Sequence, residues 1–244
     1  MEPIPTIFEQ GQMLLIDKPL HWTSFDVVRK LRGLVRTRKI GHAGTLDPLA
    51  TGLLILCTGK YTKRINEYMA QEKEYTGTIT LGASTPTYDL ESEPQPVQDP
   101  AFVTAALLVE TIAGQFTGEI MQTPPAHSAI KVGGKRVYEL ARKGIEVKLE
   151  SRRVVIKEFS VTRFQLPEVD FRVVCTTGTY IRSLANDLGV ALGCGGYLSA
   201  LRRTRIGEYT VEQAFTIEAA ETWIKGQFGG DGDGHDGAHV SHEP

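Results

Sequence analysis

The sequence predicts an α+β protein: a mixed, largely antiparallel sheet flanked by helices, with an inserted subdomain. Three observations carry that expectation. Strand-like and helix-like runs follow one another without regular βαβ alternation. "YTGTITL" (75–81) alternates cleanly, with Tyr75, Gly77, Ile79 and Leu81 on one face and threonines on the other. "RVVIKEFSVTRF" and "VDFRVVCTT" read as two strands forming a hairpin across "QLPE".

From the N-terminus, "MLLID" (13–17) reads as a short buried strand ended by Lys18 and Pro19. Residues 24–37 follow as an amphipathic helix with Thr23 or Ser24 as its N-cap. Its apolar stripe of Val27, Leu31, Leu34 and Val35 puts Arg29, Arg32 and Arg36 on the opposite face. A Gly-rich loop leads into a second apolar run, "LLILC". Residues 84–100, rich in Ser, Thr, Pro, Asp and Glu, read as a long loop. Pro100 opens a helix through "PAFVTAALLVETIAGQF", with Asp99 as cap and Gly114 near its end. "KRVYELARKG" is a short helix closed by Gly144. "TYIRSLANDLGVAL" is a helix with a core stripe of Ile181, Leu184, Ala185, Leu188 and Leu192. The last stretch, "GGDGDGHDGAHVSHEP", lacks the apolar residues to bury a core and is expected to be disordered.

Composition narrows the class. With 41% apolar and 23% charged residues in 244, the chain is that of an ordinary soluble globular protein. No apolar run reaches membrane-spanning length, and "MEPIPTIFEQ" has no secretory h-region. Cys57, Cys175 and Cys194 are widely spaced and without a CxxC pair, which argues against a disulfide frame or structural zinc and fits a reducing cytoplasm. Net charge is −2, but without the four acids of the tail residues 1–225 are net +2. Three clusters are basic: residues 29–39, a group of Lys131, Lys135, Arg136, Arg142 and Lys143, and the trio Arg202, Arg203 and Arg205. Solvated faces are the usual fate of such runs, yet three of them on a near-neutral chain lean toward a phosphate-rich partner. Arg29, Arg36, Lys131 and Arg202 are the residues expected to meet it.

"GHAGTLDPLATG" (41–52) holds the oddest residue. Asp47 is the only formally charged side chain between Lys39 and Lys60, and Pro48 pushes it out of the α region into a turn. An Asx turn is the plain reading. Against it, a carboxylate in apolar surroundings needs a cation from elsewhere or its pKa rises. Arg182 is the candidate for it, the alternative being an exposed arginine with no role. Gly178 breaks the chain and Thr179 is placed to cap the next helix, which sets Arg182 in the first turn, the wrong end of the macrodipole for a cation. If the loop docks there, both oddities have one explanation. Tyr75 faces the core, where it is either a plain core residue with a partnered hydroxyl or, with Gly77 leaving open space beside the ring, a wall for a flat ligand. His42 is a base, a stacking group or a satisfied loop histidine. No GxSxG, P-loop or GxGxxG is present, and no second His or Cys stands at metal-ligand spacing from His42.

"GHAGTLDPLATGLLILCTGKYTK" strongly resembles the signature of the TruB-type tRNA pseudouridine synthases. The resemblance runs from "LLIDKP" (14–19) through "YTGTITLGASTPTYD", "TPPAHSAIKVGGKRVYELARKGIEV" and "CTTGTYIRSLANDLG" to "LRRTRIGEY" (201–209). "DPLATGLL" is closer to the bacterial stand-alone enzymes than to the guide-RNA-dependent branch. The resemblance implies isomerisation of uridine 55 in the tRNA T loop, without metal or cofactor. It implies Asp47 as the essential aspartate, Arg182 as its arginine partner and Tyr75 as the tyrosine that stacks on the uracil and is placed to help with the C5 proton. Leu201 matches an apolar wall, His42 the histidine supporting the rearranged loop bases, and Tyr180 belongs with the substrate-binding residues. Asp47 acts at C1′, at C2′ or at C6 of the base, and the sequence does not choose. Lys18 and Pro19 fall in a motif with a structural role.

Three departures stand out. Ala43 replaces the frequent Thr or Gly, His21 and Trp22 replace the usual Gly-x before Thr-Ser, and the expected organisation lacks the C-terminal PUA domain of many relatives. The expected organisation is a catalytic domain at 1–225 with an insertion at roughly 84–150, then the tail at 226–244. The expected partner is the tRNA T stem-loop, met by a cytoplasmic monomer with no membrane and no obligate protein partner. Two rival readings share the surface: an RNA-binding or tRNA-folding protein, and a synthase with another RNA target. A third, a nucleoside hydrolase, needs a second carboxylate, and nothing in the sequence places Asp89 or Asp187 beside Asp47.

Overall fold

The computed structural model describes residues 5–125, 131–132, 135–136 and 149–228. Helix α1 (Ile7–Gln10) leads into β1 (Met13–Lys18). Helix α2 (Ser24–Val35) starts at Thr23, whose hydroxyl accepts from the Asp26 amide while Asp26 bonds back to the Thr23 amide. Strands β2 (Ile40–Ala43) and β3 (Ala50–Thr58) flank the Asp47 turn, and α3 (Ile65–Ala70) precedes β4 (Lys73–Leu81). Beyond them lie β5 (Ala83–Ser84), β6 (Gln95–Pro96), α4 (Ala105–Gln115) and β7 (Gly118–Gln122). The two-residue strands β8 (Lys131–Val132) and β9 (Lys135–Arg136) pair with each other. The hairpin β10 (Arg152–Gln165) and β11 (Glu168–Cys175) turns through Leu166 and Pro167 as expected. Helix α5 (Ile181–Leu192), β12 (Gly196–Ile206), β13 (Tyr209–Thr210) and α6 (Ile217–Gly226) complete the described chain.

Nine of the described strands form one sheet in the order β1-β3-β12-β4-β11-β10-β7, with β2 on β3 and β13 on β12. Only β3 and β12 run parallel; every other pairing is antiparallel. The α+β expectation therefore holds. Helices α4 and α5 cover one part of the sheet with Leu108, Ile112, Leu184 and Leu188, against Ile79, Phe171 and Val173. Helices α2 and α6 cover another, with Val27, Leu31, Ala220 and Ile224 against Ile16 and Leu54. The β3–β12 junction is tight. A Cβ on Gly52, at φ +103°, would lie 2.2 Å from the Arg203 carbonyl oxygen.

Several local expectations are corrected. The helix expected from Pro100 is two pieces: Asp99 caps a single 3₁₀ turn at Pro100–Phe102, Val103 is extended, and Thr104 caps α4 afresh. A hydroxyl bonded to the third amide beyond it is the stronger start signal here. Residues 84–100 are not featureless, since β5 and β6 pair and the Asp89 backbone bridges to Leu198. Lys135 and Arg136, expected to begin a helix, lie in β9, and the rest of "KRVYELARKG" lies outside the described residues. So does the tail from residue 229.

Candidate active site

The Asp47 turn is fixed at both ends. Leu46 donates its amide to the Ser24 hydroxyl at 2.8 Å, and that hydroxyl donates back to the Leu46 carbonyl at 3.2 Å. The Pro48 carbonyl accepts from the His21 amide at 2.8 Å, with His21 itself at φ 65°. The altered turn after Lys18 and Pro19 thus holds the loop by its backbone. Lys18, fully buried, donates its ammonium to the Pro19 and Trp22 carbonyls. Burial lowers its pKa to about 8, and Asp47 pulls the other way.

Arg182 reaches this turn from the first turn of α5. Its Nε stands 2.9 Å from Asp47 Oδ2. The helix is not capped by Thr179, whose hydroxyl donates to the Thr176 carbonyl; Tyr180 is the N-cap residue, without a side-chain cap bond. Buried Gln122 holds Tyr180 instead, accepting from its amide at 2.7 Å and donating to its carbonyl at 3.0 Å. That clamp sets the helix start, and with it the guanidinium.

A second carboxylate meets the same guanidinium. Asp89 Oδ2 is 3.5 Å from Arg182 Nη1, which also donates to the Thr87 carbonyl at 3.2 Å. Asp89 is buried, and its other oxygen accepts from the Glu91 amide at 3.0 Å. Its carboxylate is thereby committed to holding Arg182 and a backbone amide, a poor arrangement for activating a water. The sequence offers Asp89 as a second carboxylate without placing it beside Asp47; its place at the end of the matched stretch "YTGTITLGASTPTYD" is the signal that could have done so. Asp187 lines neither the cavity that Asp47 opens into nor the crevice that Asp47 shares with Asp89.

Asp47 opens into a cavity of about 280 Å³ shared by Tyr75, Arg182, Tyr180 and Leu201. The Asp47 side chain is 38% exposed and that of Arg182 only 5%. Burial pushes the Asp47 carboxyl above the usual carboxylate range; Arg182 opposes this, Asp89 adds to it and Lys18 opposes it. The guanidinium therefore limits the rise without cancelling it. Burial likewise raises the Tyr75 phenol, while Arg203, opposite it across β4 and β12, draws it down.

The space expected beside Gly77 is not open. A Cβ there would meet the Ala200 carbonyl at 2.3 Å and the Phe171 ring at 2.8 Å, so Gly77 serves close strand packing. His42 does not line the cavity; it sits in β2 opposite Leu56, with its pKa lowered by burial and then by Arg203. Arg202 is engaged by Asp17 through two bonds of 3.0 and 2.7 Å, so it is not the free phosphate ligand that its cluster implied. Arg29 pairs with Asp26 at 2.9 Å and Arg36 lies 4.2 Å from the Phe228 ring centre. Both remain exposed on α2. The Lys131 side chain lies outside what the structure describes. Lys73 and Arg152 also line the cavity, neither singled out from the sequence, and so does Arg203 of the basic trio. Among the described residues no cluster of three His, Cys, Asp or Glu is set to hold a metal.

Two family profiles match consecutive stretches: the TruB family pseudouridylate synthase N-terminal domain over residues 32–181, and the tRNA pseudouridylate synthase B C-terminal domain over 182–227. The tRNA pseudouridine synthase B of Flavobacterium johnsoniae is 54% identical over 224 residues, covering 89% of this chain and 97% of its own. That of Phocaeicola vulgatus is 47% identical over 226 residues, covering 90% and 96%. Among solved structures, a Cbf5–Nop10–Gar1 complex matches with a TM-score of 0.68 at 28% identity, over 90% of this chain and 57% of the solved one. The chain thus spans little more than half of that solved chain. The turn that presents Asp47 and the helix that presents Arg182 fall within one profile or at its junction with the next, and the chain belongs to the TruB family of pseudouridylate synthases.

Proposed function

We infer that the protein isomerises uridine 55 in the T loop of tRNA to pseudouridine. The observation that carries this reading is the Asp47–Arg182 contact of 2.9 Å on the wall of a cavity shared with Tyr75 and Leu201. A cavity of this size suits a single nucleoside, so the target must leave its stack, at a cost of a few kcal/mol. Phosphate contacts outside the cavity offset that cost and hold the RNA in register.

The reaction breaks N1–C1′, turns the uracil and joins C5 to C1′; C5 gives up its proton and N1 takes one up. Glycosidic cleavage develops positive character on the sugar, which a placed carboxylate stabilises or traps. Asp47 is the carboxylate in reach, acting at C1′, C2′ or C6. Arg182 holds it in one orientation and favours its anion, and Asp89 holds Arg182. Tyr75 and Leu201 keep the detached base close to the sugar, so that rejoining outruns escape. The buried, free cysteines support a reducing, cytoplasmic setting. We take residues 1–225 as the catalytic unit, acting as a monomer.

Tritium release from C5-labelled uridine in T stem-loop RNA, with mapping of the product, tests the reading. Wild-type protein should release tritium from one position, and Asp47→Asn should bind the RNA with undiminished affinity yet release none. Turnover by Asp47→Asn within tenfold of wild type would refute the assignment.

A further inference from the structure

Among the described residues four cations line the Asp47 cavity, and three are committed elsewhere. Arg182 is held by Asp47 and Asp89, and Lys73 donates to the Met69 and Gln71 carbonyls. Arg203, 1% exposed, donates to the Leu53 and Gly44 carbonyls at 2.8 and 3.1 Å. Arg152 is different. It is half-buried, with its guanidinium 4.8 Å from the centre of the Tyr180 ring. One Nη2 donor goes to the Gly178 carbonyl. Its Nε is shielded from solvent without a hydrogen-bond partner among the described residues, and none of their carboxylates forms an ion pair with it. A planar guanidinium stacked on a ring, with donors to spare, is the arrangement that takes a phosphate through two oxygens.

The shelf beneath Arg152 is built before any RNA arrives. Arg152 stands opposite Gln122 in the β10–β7 register, and Gln122 is the residue that clamps Tyr180 by both its amide and its carbonyl. The Thr176 hydroxyl accepts from the Val155 amide at 3.0 Å, tying β11 to β10 beneath the same loop. Arg152 thus shares the cavity wall with Asp47 without touching it. A uridine with C1′ at Asp47 carries a phosphate on either side of its own sugar, and one of them must pass the cavity wall.

We propose that Arg152 binds a backbone phosphate flanking the extruded uridine, and so holds the flipped nucleotide while Asp47 acts. This rests on the synthase reading above and adds a phosphate site to it. Arg152 is a binding residue here, with no part in bond making or breaking. Its contact with the Gly178 carbonyl offers the competing explanation, a purely structural clamp, and the experiment separates the two.

T stem-loop RNAs carrying a neutral methylphosphonate at the linkage 5′ or 3′ of the target are compared with unmodified RNA. Wild-type protein and Arg152→Gln are assayed by single-turnover kinetics, with Arg152→Lys as a variant that keeps the charge. Arg152→Gln should weaken apparent RNA affinity by about tenfold, leaving the rate at saturating RNA within about threefold. At one of the two linkages the methylphosphonate should cost wild type a similar factor and cost Arg152→Gln nothing further. Arg152→Lys should recover part of the loss. The inference is overturned if the two losses multiply at both linkages, or if Arg152→Gln lowers the saturated rate and leaves affinity unchanged. Absence of product from wild type and unmodified RNA would instead sink the synthase reading itself.

Discussion

Burial and charge pull the Asp47 carboxyl in opposite directions, and burial prevails. The folded protein therefore holds that proton more tightly than the unfolded chain does. Between the ordinary carboxylate value and the raised folded one, stability falls as pH rises, and above the folded value the full cost of the anion stands. Asp47→Asn removes that cost while Asp89 still faces Arg182. The variant should melt at or above the wild-type temperature at pH 8, with the gap closing as pH falls toward 4, and should lose about 10²–10⁴-fold or more in turnover. Thermal melts across pH, set beside the tritium assay, check both halves; a variant that melts well below wild type at pH 8 contradicts the burial argument. Asp89 raises the Asp47 pKa through like charge, so Asp89→Asn should move the acid limb of kcat/KM to lower pH. It should also cost roughly tenfold in kcat, because Arg182 loses a carboxylate that holds it. A limb that stays in place would show that the two carboxylates do not feel each other. At this scale the sequence exposes residues that break a local rule: a lone acid in an apolar turn, and an arginine at a helix start. It names Asp89 and Arg203 without placing them and gives no sign of Arg152, because their roles depend on partners up to 159 positions away across the sheet.

Strands β4 and β12 bring Tyr75 and Leu201 to the same cavity, and their spacing depends on Gly77. The period-two pattern made β4 legible from the sequence, and it also led to the wrong reason for Gly77. Alternation reports which face a residue takes but not how closely the neighbouring strand approaches. With the Ala200 carbonyl 2.3 Å from any Cβ, Gly77→Ala should push β12 away from β4 and cost about 1–3 kcal/mol of stability. Urea unfolding measures that loss, and activity should fall with it because Leu201 pairs directly with Gly77. A fully stable Gly77→Ala would mean that the strands have slack. The helix expected at 100–116 failed for a related reason. Two start signals, Asp99 with Pro100 and Thr104, lie close together in the chain, and only packing decides between them; Leu108 and Ile112 of the second piece are the residues buried against the sheet.

Formal charge is a poor guide to the RNA-binding surface of the whole molecule, because the fold consumes much of it. Of the trio at 202–205, Arg202 is neutralised by Asp17, Arg203 is buried, and Arg205 pairs with Glu72 at 2.8 Å and Glu74 at 3.5 Å. In the cluster at 29–39, Arg29 and Lys30 have acid partners in Asp26 and Glu221, but Arg32, Arg38 and Lys39 are exposed with no ion pair among the described residues. They lie at the far end of α2, whose N-terminal Ser24 grips the Asp47 turn, so the helix spans about 18 Å from the cavity rim to these exposed charges. That length suits a helical RNA stem lying beside a flipped loop nucleotide. In an Asp47→Asn background, where binding is read without turnover, RNA affinity should fall steeply with KCl. Replacing Arg32, Arg38 and Lys39 together by Gln should flatten the log–log slope by up to about 0.9 for every phosphate that the protein then leaves unneutralised. Arg205→Gln should leave the slope nearly unchanged, because its charge is already balanced inside the protein. If Arg205→Gln flattens the response as much as the triple replacement does, the stem lies across the open face of the sheet and not along α2.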